Sequence, residues 1–279
     1  MFDKEVVKQL EDKARALRKN VIVSVGVNYP GHIGGSFSAA DVMAALYFHK
    51  MKHDPKNRYM PDRDRLILSK GHIAILQYAA LAEAGYFPKE ELVDTKQLHS
   101  MLQGHPDLIK SGHIGIEAGT GSLGQGLSIG AGMALGLRMD GIVATTYVIM
   151  GDGELAEGQN WEAAMSAVTF KLDNLVAILD KNNKQAQGTI EGRFSLGDIL
   201  EKWKAFGWNV IEVDGHNMED ILRGLYAADE AKGKPTVIIS NTVKGKGIGF
   251  SEEHPVGMHN AALTQEQYDN AMISFSRRD

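Results

Sequence analysis

Two apolar, β-branched runs, each ending on a short polar motif, set what this chain can fold into. Residues 144–150 (ATTYVIM) read as a buried parallel strand. The chain then enters Gly151-Asp152-Gly153 within GDGELAEG, a turn whose glycines let backbone approach a ligand closely. Residues 157–170 (EGQNWEAAMSAVTF) predict a helix with Trp161, Ala164, Met165 and Val168 on one face. Residues 175–180 (LVAILD) are the next strand, and Asn182-Asn183 follow its carboxyl end. Ligands of an open α/β sheet bind beyond the carboxyl ends of its strands. Asp152 and Asn182 therefore offer a carboxylate and an amide oxygen to one point. A set that small and only partly charged suits Mg²⁺ or Ca²⁺ completed by phosphate oxygens of a ligand.

The rest of the chain keeps the same alternation. Val7, Leu10, Ala14, Leu17 and Val21 fall at three- and four-residue steps, which predicts an opening amphipathic helix. Asn28-Tyr29-Pro30-Gly31 breaks it. Residues 31–38 (GHIGGSFS) predict a glycine-rich turn carrying His32, with Ser38 capping a helix through Asp41, Val42, Ala45 and Leu46. His49 and His53, near the end of that helix, read as terminal cations or solvated residues. Residues 65–69 (RLILS) form a short strand, Lys70-Gly71-His72 its exit, and residues 73–84 a helix stopped by Gly85. His105 sits in a loop before a proline, and residues 112–126 are the most glycine-dense stretch, ahead of a small-residue helix at 127–137. Strands at 208–213 and 235–240 flank a helix at 218–231; 242–250 is a glycine-rich strand exit and 251–279 a loop with a short terminal helix. The expected fold class is α/β, a single doubly wound parallel-sheet domain over 1–279 with helices on both faces.

Composition removes several function classes. The 279 residues carry a net charge of −5 and no Lys/Arg cluster, which argues against nucleic acid as a partner. With no cysteine, disulfides, zinc–thiolate sites and thiol catalysis are excluded. No apolar run approaches a membrane span and the first residues lack a secretory core, so a cytoplasmic protein is expected.

Gly153 and Asn182 bracket 28 residues (154–181), and the GDG…NN pair resembles the diphosphate-and-metal motif of thiamine diphosphate enzymes. Further stretches resemble transketolase in particular: GHIGGSFSAAD, SKGHIAILQYA, QGHPD, GTGSLGQGLSIGAGMALG, GDGELAEGQNWEAA, NLVAILDKNNKQAQG and MHNAAL. The likeness covers nearly the whole chain. It implies thiamine diphosphate as cofactor, with Asp152, Asn182 and the Lys184 carbonyl holding Mg²⁺, or Ca²⁺ or Mn²⁺ in its place. It sets His72, Gly151, Gly153 and Glu154 at the diphosphate, and Gly121, Ser122 and Leu123 by the cofactor ring. His32 and His259 would contact substrate and move protons, His259 also touching cofactor, and His105 would bind the donor sugar. Imidazole suits such work near neutral pH. Glu157 and Glu162 match family glutamates at the subunit interface near the cofactor, and Glu157 is carried as a catalytic candidate. A five-residue separation does not place the two on one helix face. His99, His113, His216 and His254 receive no role.

The chain also departs from the family. Ile33 and Ser122 stand for prolines, and Lys181 for a frequent acidic residue. The pyrimidine-binding and C-terminal domains, with a glutamate that activates the cofactor, have no counterpart in 279 residues. The resemblance therefore implies the N-terminal subunit of a split transketolase, completed by a separate chain in an α₂β₂ assembly and moving a two-carbon ketol unit from a ketose, phosphorylated or otherwise specialised, to an aldose. A 2-oxo acid dehydrogenase component and a non-catalytic cofactor-binding module are the alternatives.

Overall fold

The computed structural model describes residues 2–276. Its centre is a five-stranded, all-parallel sheet: β1 (Arg65–Leu68), β2 (Thr146–Gly151), β3 (Leu175–Lys181), β4 (Asn209–Asp214) and β5 (Thr236–Asn241). The spatial order is β1-β2-β3-β5-β4. Successive side chains of a strand leave opposite faces, and here both faces are covered. Leu66, Tyr147, Ile149, Val176 and Ile238 join one apolar core with helices Lys4–Val25, Ala40–Ala45, Ala74–Ala84 and Met218–Glu230. Ile67, Val148, Met150, Ala177 and Ile239 join another with helices Gln125–Met139, Gly158–Thr169 and Ile199–Ala205. That is why these strands read as continuous apolar runs rather than alternating ones.

Local chemistry explains most element ends. Asp3 caps the first helix by accepting the Glu5 N–H at 2.9 Å. The helix Gln125–Met139 is rich in small residues because it lies directly on β2: a Cβ at Gly130 would sit 2.4 Å from Val148 Cγ2. Parallel register aligns Gly151 with Asp180, and Asp180 with Ser240, so the polar ends of β2, β3 and β5 emerge side by side. Among the described residues no helix is long and apolar enough to cross a membrane.

Five expectations need correction. The stretch 31–38 is not a turn throughout: Ile33–Ser38 is a short helix, because Ile33 and Phe37, four apart, are both fully buried. Ser38 ends that helix and caps nothing; its hydroxyl turns inward and donates to Asp180 Oδ2 at 2.6 Å. Met165 is 53% exposed, and the buried face of its helix is built from Ala163, Ala164 and Ala167. His53 is held rather than solvated, with Nε2 2.7 Å from the Tyr47 carbonyl and Nδ1 3.1 Å from the Tyr86 hydroxyl. The tail is also more ordered than a loop with a short helix suggests. Its twelve-residue helix Gln265–Ser276 buries Ala271, and backbone bridges join Ala261 to Gly31 and Leu263 to Val27.

Candidate active site

Four strand ends and the returning tail meet at one cavity of about 290 Å³. Strand β1 delivers Lys70 and His72, β2 delivers Asp152 and Gly153, β3 delivers Asn182 and Lys184, and β5 delivers Lys244. The bridge between Gly31 and Ala261 brings His259 back over them.

Asp152 is 2% exposed and fixed by backbone donors: Gly153 N–H to Oδ1 at 2.8 Å and Asn183 N–H to Oδ2 at 2.5 Å. Burial first, and the Asp180 charge second, push its carboxyl up to about 6. A divalent cation beside it would relieve both penalties. Asn182 is oriented by its Nδ2, which donates to Asp180 Oδ2 at 3.2 Å, while its Oδ1 accepts the Lys184 N–H at 3.1 Å. No three His, Cys, Asp or Glu side chains gather to hold a metal among the described residues. The donor set is thus one carboxylate, one amide and backbone, which fits a hard cation sharing its shell with a ligand's phosphate oxygens.

Asn183 adopts a left-handed backbone, φ 59°. That turn aims its N–H at Asp152 and its carbonyl at the Ile190 N–H, 3.1 Å away. Asn tolerates this region and a β-branched residue does not. Asn183→Gly should therefore keep stability within roughly 0.5 kcal/mol, while Asn183→Val should cost about 1–3 kcal/mol. Urea denaturation of both checks this, and equal midpoints would refute it.

The four histidines given roles by resemblance do converge. The His32 ring lies 5.0 Å from His72, 5.3 Å from His259 and 6.3 Å from His105, and His72 lies 5.3 Å from His259. They are not ordinary imidazoles near neutral pH, however. Burial, then His259 and Lys96, bring His32 down to about 3; burial and Lys244 bring His259 to about 4. Burial and Lys70 hold His72 well below the usual range, and burial and Lys96 lower His105. At pH 7 all four are neutral, able to accept a proton or share a hydrogen bond but not to act as standing cations.

The remaining candidates divide. Gly121 and Leu123 line the cavity. Gly121 must be glycine: φ is 132° and a Cβ would lie 2.4 Å from the His105 ring. Ser122 is exposed and borders an adjoining groove with His105. Glu154 borders the cavity, but its buried carboxylate is committed to protein donors: the Ser69 hydroxyl, Gly124 N–H at 2.8 Å and Gly151 N–H at 3.1 Å. Glu157 is exposed at the start of its helix and lies outside the cavity lining.

Sequence reasoning missed the charged floor. Lys70 Nζ and Asp180 Oδ2 form a buried ion pair at 2.5 Å, with Ser38, Asn182 and the Thr242 hydroxyl also donating to Asp180. Lys244 is buried too, its Nζ 3.0 Å from His259 Nδ1 and 3.3 Å from the Gln185 carbonyl. Two ammonium groups facing one cavity suit a polyanionic ligand such as a diphosphate. His216, which received no role, bridges Asp41 Oδ2 (2.8 Å from Nδ1) and the Val243 N–H (2.8 Å to Nε2). A backbone N–H can only donate, so the ring proton sits on Nδ1. The bridge anchors the loop that carries Lys244.

The chain is similar to known proteins over nearly its whole length. The family model described as "Transketolase, thiamine diphosphate binding domain" matches residues 8–276. A 6-deoxy-6-sulfo-D-fructose transketolase subunit SqwG of Clostridium sp. (strain MSTE9) is 45% identical over 268 residues, 96% of each chain. An apulose-4-phosphate transketolase subunit of Phocaeicola vulgatus is 42% identical, covering 98% of this chain and 95% of that one. The crystal structure of Campylobacter jejuni transketolase superposes with TM-score 0.88 at 32% identity, over 97% of this chain and 43% of its own. The chain belongs to the transketolase family and corresponds to its thiamine diphosphate-binding domain.

Proposed function

We propose that this chain is the cofactor-binding subunit of a two-chain transketolase, transferring a two-carbon ketol unit from a ketose to an aldose. The observation that carries the reading is the meeting of Asp152, Asn182, His72 and His259 at one cavity over parallel strand ends, with the His32 ring 5.0 Å from His72 and 6.3 Å from His105. Asp152, Asn182 and the Lys184 carbonyl would hold Mg²⁺, while Lys70, His72, Gly153 and Lys244 would hold the diphosphate. The cofactor supplies the carbanion chemistry. The chain's own part is to orient and to move protons: His32 and His259 accept and return the proton of a sugar hydroxyl, and His105, at the groove, hydrogen-bonds the donor. Two relatives matched over nearly their whole length are named as subunits, which supports a separate partner chain; an α₂β₂ assembly of the two chains is part of the proposal. Their named substrates, a sulfonated hexulose and a branched sugar phosphate, favour a specialised anionic ketose over general pentose phosphate metabolism. A 2-oxo acid dehydrogenase role loses its footing with the family match.

Titration calorimetry of the chain with thiamine diphosphate and Mg²⁺, alone and with the partner chain, is the first test, followed by a panel of ketoses and pyruvate. Metal-dependent binding and turnover of ketoses are expected. Turnover of pyruvate alone would overturn the sugar reading.

A further inference from the structure

Lys244 stands apart from the other charged groups of the cavity. Lys70 is committed to Asp180 at 2.5 Å, whereas the hydrogen bonds of Lys244 go to neutral atoms: His259 Nδ1 at 3.0 Å and the Gln185 carbonyl at 3.3 Å. No carboxylate lies within ion-pair distance of it among the described residues, although its side chain is 3% exposed and borders the cavity. An ammonium in that position is penalised by the loss of water and by Lys70 and Lys184 beside it, which outweigh the opposing Asp152 and Asp180 carboxylates. We propose that, when the cofactor is not bound, Lys244 is a nucleophilic amine that condenses with small anionic aldehydes, the class to which open-chain aldose phosphates and sulfonates belong. That such aldehydes are the reaction's own acceptors rests on the transketolase reading above; the amine assignment does not.

Three features of the cavity favour the condensation. Burial and the neighbouring lysines bring the ammonium down to about 8, so about half of Lys244 is free amine at pH 8, against less than about 1% of an ordinary surface lysine. The ammonium of Lys70 and that of Lys184, which lines the same cavity, attract the aldehyde's anionic group. His259, held neutral, supplies the proton relay at the right place. In the step itself the Nζ lone pair attacks the aldehyde carbon, forming C–N as the carbonyl π bond opens. One proton passes from nitrogen through His259 Nδ1 to oxygen, giving a carbinolamine. Loss of one water leaves the imine, and nothing is oxidised or reduced. Aldehyde and cofactor diphosphate would then exclude each other, so the cofactor shields this lysine while the enzyme works.

Glycolaldehyde phosphate, small enough for the cavity, is the probe. The purified chain is treated at pH 8 with cyanoborohydride to trap imines, with or without thiamine diphosphate and Mg²⁺, and the modified lysines are mapped by peptide mass. Lys244 should be modified at least about tenfold faster than any surface lysine, and cofactor with metal should slow it by a similar factor. Lys244→Arg keeps a cation that forms no trapped imine, and should lose the fast phase with an unchanged circular dichroism spectrum. Labelling spread over surface lysines without preference would overturn the proposal, as would a fast phase that survives in Lys244→Arg. Because the wild-type map alone decides preference, a variant that fails to fold does not remove the test. Fast labelling of Lys244 that thiamine diphosphate leaves unchanged would support the amine and overturn the cofactor reading of the cavity.

Discussion

Replacing Asp152 by asparagine should weaken metal-dependent thiamine diphosphate binding at least about 100-fold, because outer-shell changes alone cost roughly 10–100-fold in metal affinity and this change removes the carboxylate proposed as a ligand. The same substitution should make the cofactor-free chain more stable. Asp152 is buried beside Asp180 and its folded-state carboxyl is raised to about 6, above its value in the unfolded chain. The folded state therefore holds a proton that the unfolded state has already released between those two values. Its stability is highest at acid pH and falls as pH rises through about 6. Asparagine removes that loss, which is on the order of 1–3 kcal/mol at pH 8, or several degrees of melting temperature for a domain this size. At pH 5 the gain should fall to about half, and near pH 3 toward zero. Titration calorimetry gives the first arm and thermal melts at pH 5 and pH 8 the second. Retained affinity would remove Asp152 from the metal shell. A gain over wild type no larger at pH 8 than at pH 5 would mean the buried carboxylate carries no strain, and a cation would then have little to relieve. Binding sites that are unfavourable until filled trade stability for function in this way.

How much of this was legible beforehand depends on how far apart the partners lie in sequence. Asp152 and Asn182 were legible because each ends an apolar strand, and parallel neighbours put their ends together. The strands themselves were legible because both faces are buried, so every residue from Tyr147 to Met150 is apolar. The four histidines were legible only by resemblance: nothing in the run around His32 announces that it will stand 5.0 Å from His72. Lys70 and Asp180 were not seen, since their pair spans 110 residues and each alone reads as the polar stop of a strand. Lys244, within KGKG, has the pattern of a solvated strand exit. Ser38 was misread because a serine before a helical run has the same local pattern whether it caps the helix or turns inward. A carboxylate 142 residues away decided which. Local rules describe elements well, and they cannot choose between two satisfied partners when one comes from elsewhere in the chain.

Lys70→Met should unfold the chain more readily than any other single change at the strand ends, at a cost of about 3–5 kcal/mol. The usual penalty for removing one partner of a buried ion pair is of that size, because the other charge is left in a medium that cannot solvate it. Burial by itself would raise the Asp180 carboxyl; the Lys70 ammonium and the Ser38 and Thr242 hydroxyls hold it below the ordinary carboxylate range. A depressed carboxyl gives stability that is present above its unfolded-state value and is lost as pH falls through the folded one. Without Lys70 that loss should begin at higher pH, so the acid unfolding limb of Lys70→Met should move toward neutrality relative to wild type. Asp180→Asn keeps acceptor and donor atoms for Ser38, Thr242 and Asn182 but leaves Lys70 with only the Gly35 carbonyl at 3.4 Å, and should also be destabilised. The double variant strands neither charge and should be more stable than the sum of the two singles by about 1–3 kcal/mol. Urea denaturation of the four proteins at pH 7 and near pH 4 measures both effects. Additive losses would mean that Lys70 and Asp180 are solvated independently, and that the floor of the cavity is wetter than this packing allows. A strong coupling would mean that the two charges hold each other in place as one unit at the base of the cavity.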